Sequence, residues 1–434
     1  MNWKYVTNIL RHIVPNASKS DIVKIGNKYE NWTKQQLIDR LQALETLSNS
    51  NITAEYHSQN SDIKKDNLTI QRKKHPKEFN FEKYHKRHVA LKFCYLGWDY
   101  NGLALQKDKT PLPTIEGILL EAMKKCKFIP SMNPKDFKFS RCGRTDKGVS
   151  ALNQIISLDM RSELPPAEQV DANFDHKEIN YTAILNQILP PAIRITAVCL
   201  NPPKDFDARF NCISRHYKYF FKLDNLDITL MREAAKHFEG ENDFRNFCKL
   251  DGSKQIKNYE RTIFSFDISK VKEDIYCFDI IASAFLWHQV RYMVAILFLV
   301  GQKLEPSSIV KDLLDVNKYP RKPIYDMAAD FPLVLYDCNY SDMKWIKSNI
   351  NDYKAIKFRK SLEAIDYQLQ IKATIASIFL EELKEVDNNT SNKTRICTGD
   401  GHGNFTSIYS KIEDRLTMRS FEEINENYRK KHLE

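Results

Sequence analysis

No C-x-x-C pair occurs among the nine cysteines of this 434-residue chain. Scattered thiols argue against a structural zinc site or a disulfide framework and mark a reducing compartment. No hydrophobic run is long enough for a membrane span. The most apolar stretch, Tyr292 to Val300, is about half of the roughly 20 residues required. The start, Met1-Asn2-Trp3-Lys4, carries no signal-peptide apolar region, so a soluble intracellular protein of cytosol or nucleus is expected. A metal-ligand cluster and a dinucleotide fingerprint are both missing. Gly143 and Gly148 bracket four residues as in a phosphate-binding loop, but Val149-Ser150 stand where Lys-Ser/Thr is needed, which removes the charge that would cradle a nucleotide. No internal repeat is evident.

What is present is a chain long enough for two or three domains with a sizeable core. Hydrophobic residues make up 42%, as expected for a folded centre with polar extensions. The formal net charge is +10 and the isoelectric point near 8.9, so an anionic partner is indicated. With this many aromatics, nucleic acid fits better than small acidic substrates.

Residues 1–87 form an extension. Trp3, Val6, Leu10, Ile13 and Val14 share one helical face, and Thr33 with Gln36 caps a second helix through Leu37, Leu41 and Leu44. A polar, then basic linker follows from Ser48 to about Lys86, with Arg72-Lys73-Lys74-His75-Pro76-Lys77 at its centre. It either grips RNA, directs nuclear import or is simply solvated. The body runs over 88–204 and 205–340, each half interleaving strands with helices, which predicts two α+β lobes sharing a sheet. Strands are expected at Val89–Tyr95, Ile155–Leu158, Ile193–Leu200, Thr262–Ile268, Tyr276–Ala282 and Phe331–Tyr336, with Phe137–Phe139 alternating like a strand end. Helices are expected after Thr114, over Tyr181–Leu189, over Thr229–Phe238 and from Gln289, and 163–180 reads as a surface insertion. Residues 341–434 read as a helical extension, a disordered loop from Asn388 to Asn404 and a charged tail.

Three stretches concentrate chemistry. Ser140 to Ser150 packs two arginines, a lysine, one aspartate and two glycines into a turn between apolar segments. It is either a solvated charged turn or a rigid site in which cations hold Asp146 ionised beside a phosphate backbone. Tyr217-Lys218-Tyr219-Phe220-Phe221-Lys222 alternates with period two, so one aromatic face either stacks bases or forms core. Arg291 heads a near-continuous apolar helix, where it must be paired or reach the surface.

In this order the motifs resemble a TruA-type tRNA pseudouridine synthase, most closely the eukaryotic branch acting on tRNA positions 38 and 39. The resemblance covers roughly 88–340. Tyr95-Leu96-Gly97-Trp98-Asp99-Tyr100-Asn101-Gly102 is similar to the family's opening strand and turn, and Gly143-Arg144-Thr145-Asp146-Lys147-Gly148-Val149 to its signature. Phe206-Asp207-Ala208-Arg209-Phe210 with Arg215-His216-Tyr217-Lys218-Tyr219 is similar to the segment supplying an active-site tyrosine, Phe285 to Arg291 to the motif whose arginine pairs with the catalytic carboxylate, and Asn246 to Asp251 to a stretch typical of the 38/39 branch. Two departures stand out. Ala329 and Pro332 replace the proline and glycine of a bacterial A-P-x-x-G-L-x-L segment, and Asn242 replaces a common histidine.

The resemblance implies an α+β pseudouridine synthase fold with a central, mostly antiparallel sheet and flanking helices. It implies a cofactor-free isomerase and a homodimer bound to tRNA, in nucleus and cytoplasm. It makes Asp146 the catalyst, Arg291 its partner and Tyr217 the residue stacking on a flipped uridine. Arg144, with Arg141, Lys147 and Arg209, would hold RNA. A catalytically idle tRNA-binding protein of the same fold is the alternative. A metal-dependent hydrolase would need clustered carboxylates, which the Asp146 motif lacks.

Overall fold

The computed structural model describes residues 79–347, 353–383 and 393–432. The expected N-terminal helices and the basic cluster Arg72 to Lys77 lie outside the described residues. A ten-stranded sheet organises the rest. Its members in chain order are β1 (His85–Tyr95), β2 (Ser140–Arg141), β3 (Ser150–Ser162), β4 (Ile193–Cys199), β5 (Ser214–Lys222), β6 (Gly240–Asp243), β7 (Glu260–Lys272), β8 (Ile275–Ala282), β9 (Leu333–Asn339) and β10 (Ile346–Lys347). They lie in the order β10-β4-β1-β3-β9-β5-β8-β7-β6, with β2 on β3. Every described pairing in the sheet is antiparallel except β3 with β9, so the expected α+β class with a mostly antiparallel sheet holds.

The longer helices that flank this sheet are α1 (Ile115–Lys125), α2 (Tyr181–Ile188), α3 (Ile228–Lys236), α4 (Gln289–Gly301) and α5 (Ile309–Leu314). Thr114 caps α1 by accepting from the Gly117 N–H, and Asp227 caps α3 from two backbone N–H groups. Two apolar cores result. One gathers Phe93, Leu119, Ile156 and Tyr181 around the β1–β3–β4 half; the other gathers Phe238, Phe266, Phe278 and Phe298 around β5–β7–β8. Tyr217 touches both. The aromatic face of β5 is mostly core: Tyr219 and Phe221 are buried and pack on Phe278 and Phe298, so neither is a base-stacking surface.

Three local expectations are corrected. Phe137 closes a 3₁₀ turn, Pro134–Phe137, and Lys138 takes a left-handed backbone, because Asn133 and Pro134 start a turn that alternation of Phe137 and Phe139 does not reveal. The linker ends earlier than expected, since β1 already pairs with β3 at His85. The supposed disordered loop contains a hairpin of β11 (Thr394–Ile396) with β12 (Asn404–Thr406) in its described part, turned by glycines at positive φ. Beyond the body, α6 (Tyr353–Leu383) is long and mostly exposed, and α7 (Phe421–His432) ends the described chain.

The opening turn after β1 is built for backbone contact. A Cβ added to Gly97 would stand 2.0 Å from the Val149 carbonyl oxygen, and one on Gly102, at φ +83°, would stand 2.8 Å from that of Thr145. Gly143 has room, its nearest neighbour being Arg215 Nε at 3.9 Å. Gly97→Ala is therefore expected to destabilise by roughly 1–3 kcal/mol, as overpacking does, and Gly143→Ala by much less; thermal denaturation of the two variants distinguishes them.

Candidate active site

The Gly143–Val149 loop leaves β2 and enters β3, and its shape is set from outside. Thr145 is buried, its hydroxyl 2.7 Å from the Tyr95 hydroxyl and its carbonyl accepting from the Leu103 N–H. Gln154, fully buried, donates to the Gly143 carbonyl. Arg215 of β5 donates to the carbonyls of Cys142, Arg209 and Ser283, tying the loop's base to the other half of the sheet. Gly148 turns at φ +81°, with the Asp330 carboxylate filling the space where a Cβ would go.

Held this way, Asp146 presents a partly exposed carboxylate. Its one ion-pair neighbour among the described residues is His288, with Nε2 3.3 Å from Oδ2. The expected Asp146–Arg291 pair is not formed. The Arg291 guanidinium donates from Nε to the Ala328 carbonyl at 2.7 Å and faces Asp330 at 4.0 Å. The arginine is buried and partnered, but by the loop that backs Gly148 rather than by Asp146 itself.

That loop accounts for one departure from the family pattern. The Ala329 N–H donates to the Thr398 carbonyl at 2.8 Å, a bond that proline at this position could not make. The segment after Lys393 thus reaches the site from behind, with Gly399 against the Tyr219 hydroxyl.

Tyr217 lies in mid-sheet between β8 and β9, edge-on to Phe285 at 5.1 Å. Burial, then the acidic groups of Cys338, Cys142, Tyr95 and Asp146, push its phenol well above the ordinary range, so it keeps its proton. The candidate RNA-binding cations separate into two kinds. Arg144, Lys147 and Arg209 are exposed, and Arg209 lies over the exposed Phe210 ring. Arg141 is committed inward: it grips the buried Glu116 with two nitrogens and covers Phe139. Its assignment to RNA is corrected on that ground. Burial raises the Glu116 pKa while Arg141 pulls it back.

Sequence reasoning missed His288 and Arg215. Both stand inside the quoted motifs, but nothing in residue spacing tells which member of Trp287-His288-Gln289-Val290-Arg291 meets the carboxylate. Among the described residues, no group of three or more His, Cys, Asp or Glu side chains could hold a metal, and no helix is long and apolar enough to cross a membrane.

Comparison with known proteins decides the family. A family profile described as tRNA pseudouridine synthase matches residues 234–341. The chain is 50% identical over 436 aligned positions to a tRNA pseudouridine(38/39) synthase of Saccharomyces cerevisiae, covering 98% of this chain and 99% of that protein. The chain belongs to the tRNA pseudouridine synthase family. It is also 41% identical to the Mus musculus tRNA pseudouridine(38/39) synthase, over 76% of this chain and 69% of that one. A tRNA pseudouridine synthase A of Methanosarcina mazei is 30% identical, matched over 97% of its own length but 64% of this chain. This family member thus carries sequence that the archaeal match does not include.

The two kinds of cation separate in an experiment. Arg141→Ala strands the Glu116 carboxylate and should cost roughly 2–4 kcal/mol, somewhat below a fully buried pair because Arg141 keeps some solvent contact. Arg144→Ala should leave the melting temperature unchanged and weaken tRNA binding instead. Thermal melts and filter binding read the two effects.

Proposed function

We propose that this protein converts uridine to pseudouridine at positions 38 and 39 of tRNA, with Asp146 as the catalytic carboxylate. The observation that carries the reading is the single carboxylate of Asp146, offered at the surface on a rigid glycine-bounded loop and flanked by the exposed cations Arg144 and Lys147. The names of the yeast and mouse relatives support the positions. In the reaction the bond from the ribose C1′ to N1 breaks, the base turns, and C1′ bonds to C5. C5 then loses a proton and N1 gains one. Atoms and electrons balance within the nucleotide, so no oxidant, reductant or group donor enters.

Each residue has a task that suits its chemistry. The target uridine must leave its stack before any side chain reaches its sugar. Arg144, planar and exposed, suits the vacated space or the flanking phosphate, with Lys147 and Arg209 adding phosphate contacts. Tyr217 offers an aromatic edge and a retained phenolic proton beside the base. Asp146 acts as nucleophile or base and must be ionised to do either. Arg291 supports it at one remove, through Asp330 and Gly148.

The homodimer implied by the family resemblance is part of the proposal. It is supported by the exposed residues Ile371, Ile375, Phe379 and Leu383 on α6, whose four-residue spacing puts an apolar stripe on the helix for a partner to cover. Action in nucleus and cytoplasm is proposed on the basic segment Arg72 to Lys77.

Incubation of the protein with unmodified tRNA, followed by pseudouridine mapping, is expected to show product at positions 38 and 39 without added cofactor. Asp146→Ala should retain tRNA binding and lose product formation; substantial residual turnover would rule out its role. Binding should weaken steeply between 50 and 200 mM salt, by roughly tenfold or more if several phosphates are contacted. A salt-independent affinity contradicts a cationic RNA surface.

A further inference from the structure

The Asp146 carboxylate makes no hydrogen bond among the described residues. Among the described residues its one ion-pair neighbour is His288. Its approach at 3.3 Å is looser than a formed hydrogen bond, as is common at catalytic groups before substrate closes the site.

The backbone conformation, a neighbouring side-chain pair and an adjacent ring hold the imidazole there. The His288 backbone is left-handed, φ +61° and ψ +10°, at the position just before α4. This is an unusual conformation for histidine, and such strain persists where surrounding structure imposes it, often at functional sites. The imposing structure is the reciprocal pair between Leu286 and Gln289. The Leu286 N–H donates to the Gln289 side chain at 2.8 Å, and the Gln289 N–H donates to the Leu286 carbonyl. Trp287 covers the imidazole with ring centroids 4.9 Å apart, and Lys249 Nζ lies 4.3 Å above the indole on its own account. Finally, Nδ1 is buried with no partner. A proton on Nδ1 would be a stranded donor, whereas Nε2 stands 3.3 Å from an acceptor, Asp146 Oδ2, so the surroundings favour the Nε2–H tautomer.

We propose that His288 is a positioning residue for the reaction: its Nε2–H fixes the Asp146 carboxylate in the orientation from which it meets the substrate uridine, the task that the sequence motif suggests for Arg291. The division of labour is then spatial. Arg291 fixes the loop that backs Gly148 through Ala328 and Asp330, and His288 fixes the side chain that the loop presents. The proposal rests on Asp146 being the reactive group of a pseudouridine synthase.

Single-turnover pseudouridylation and tRNA binding of wild type, His288→Gln, His288→Asn and His288→Ala test it. Glutamine places a neutral N–H donor near the old Nε2 position and should keep the rate within a few-fold. Asparagine tolerates the left-handed backbone but falls short of Asp146, and alanine offers nothing. Both should slow the chemical step by roughly 10- to 100-fold, the loss expected for one hydrogen bond to a charged group. All three should bind tRNA as wild type does. An asparagine variant at wild-type rate, a glutamine variant as slow as alanine, or a loss confined to tRNA affinity overturns the proposal. A wild-type protein that forms no pseudouridine overturns the underlying reading instead, so the two failures are distinguishable.

Discussion

Backbone seated directly on backbone is the constraint from which the site follows. The turn after β1 brings Gly97 and Gly102 so close to the loop of residues 145–149 that a single methyl group at Gly97 would overlap the Val149 carbonyl. A side chain between two segments allows adjustment by rotamer, but direct backbone contact does not. With Thr145 pinned through its hydroxyl to Tyr95 and its carbonyl to Leu103, Asp146 has little freedom before its side-chain torsions. Preorganisation of this kind is what the proposed role of Asp146 requires.

The second support comes from far along the chain. Ala328, Ala329 and Asp330 form a bracket behind Gly148, and each is held differently: the first by Arg291, the second by Thr398, the third by the sheet entry at Leu333. Glu305, buried, accepts from the Tyr409 hydroxyl and the Ile412 N–H, anchoring the segment that carries Thr398 to the body. The C-terminal extension is therefore part of the scaffold that shapes the site, and the alanine at 329 supplies the N–H that joins them.

Charge is divided by burial rather than by residue type. Arg141, Arg215 and Arg291 stand close to the loop in sequence or space and all spend their guanidinium groups on internal oxygens. Arg144 and Lys147 keep theirs at the surface. The planar fork of arginine satisfies several carbonyls at once, which suits it to both tasks, so composition cannot say which arginine does which.

The longer strands and helices of residues 85–340 were legible from periodicity, because an amphipathic pattern is a local property, whereas the short β2, β6 and α5 were not. That the two halves share one sheet followed from alternation of strand and helix, and the choice of Asp146 from its place in a motif resembling the family signature; the order of the strands in the sheet was not legible. What escaped was everything decided across the sheet. Phe137 looked like a strand end because a 3₁₀ turn has no periodic signature, and the 394–406 hairpin looked disordered because its stability comes from packing on the body. Arg141 turned inward because Glu116, far away in sequence, is buried opposite it. His288 meets Asp146 in place of Arg291 because the left-handed turn before α4 rotates the motif by residues that spacing cannot orient. The sequence by itself determined which elements form and which carboxylate is set among cations; only tertiary structure decided which partner each charge has, since ion pairing depends on distances of a few ångströms between segments that the chain order leaves unrelated.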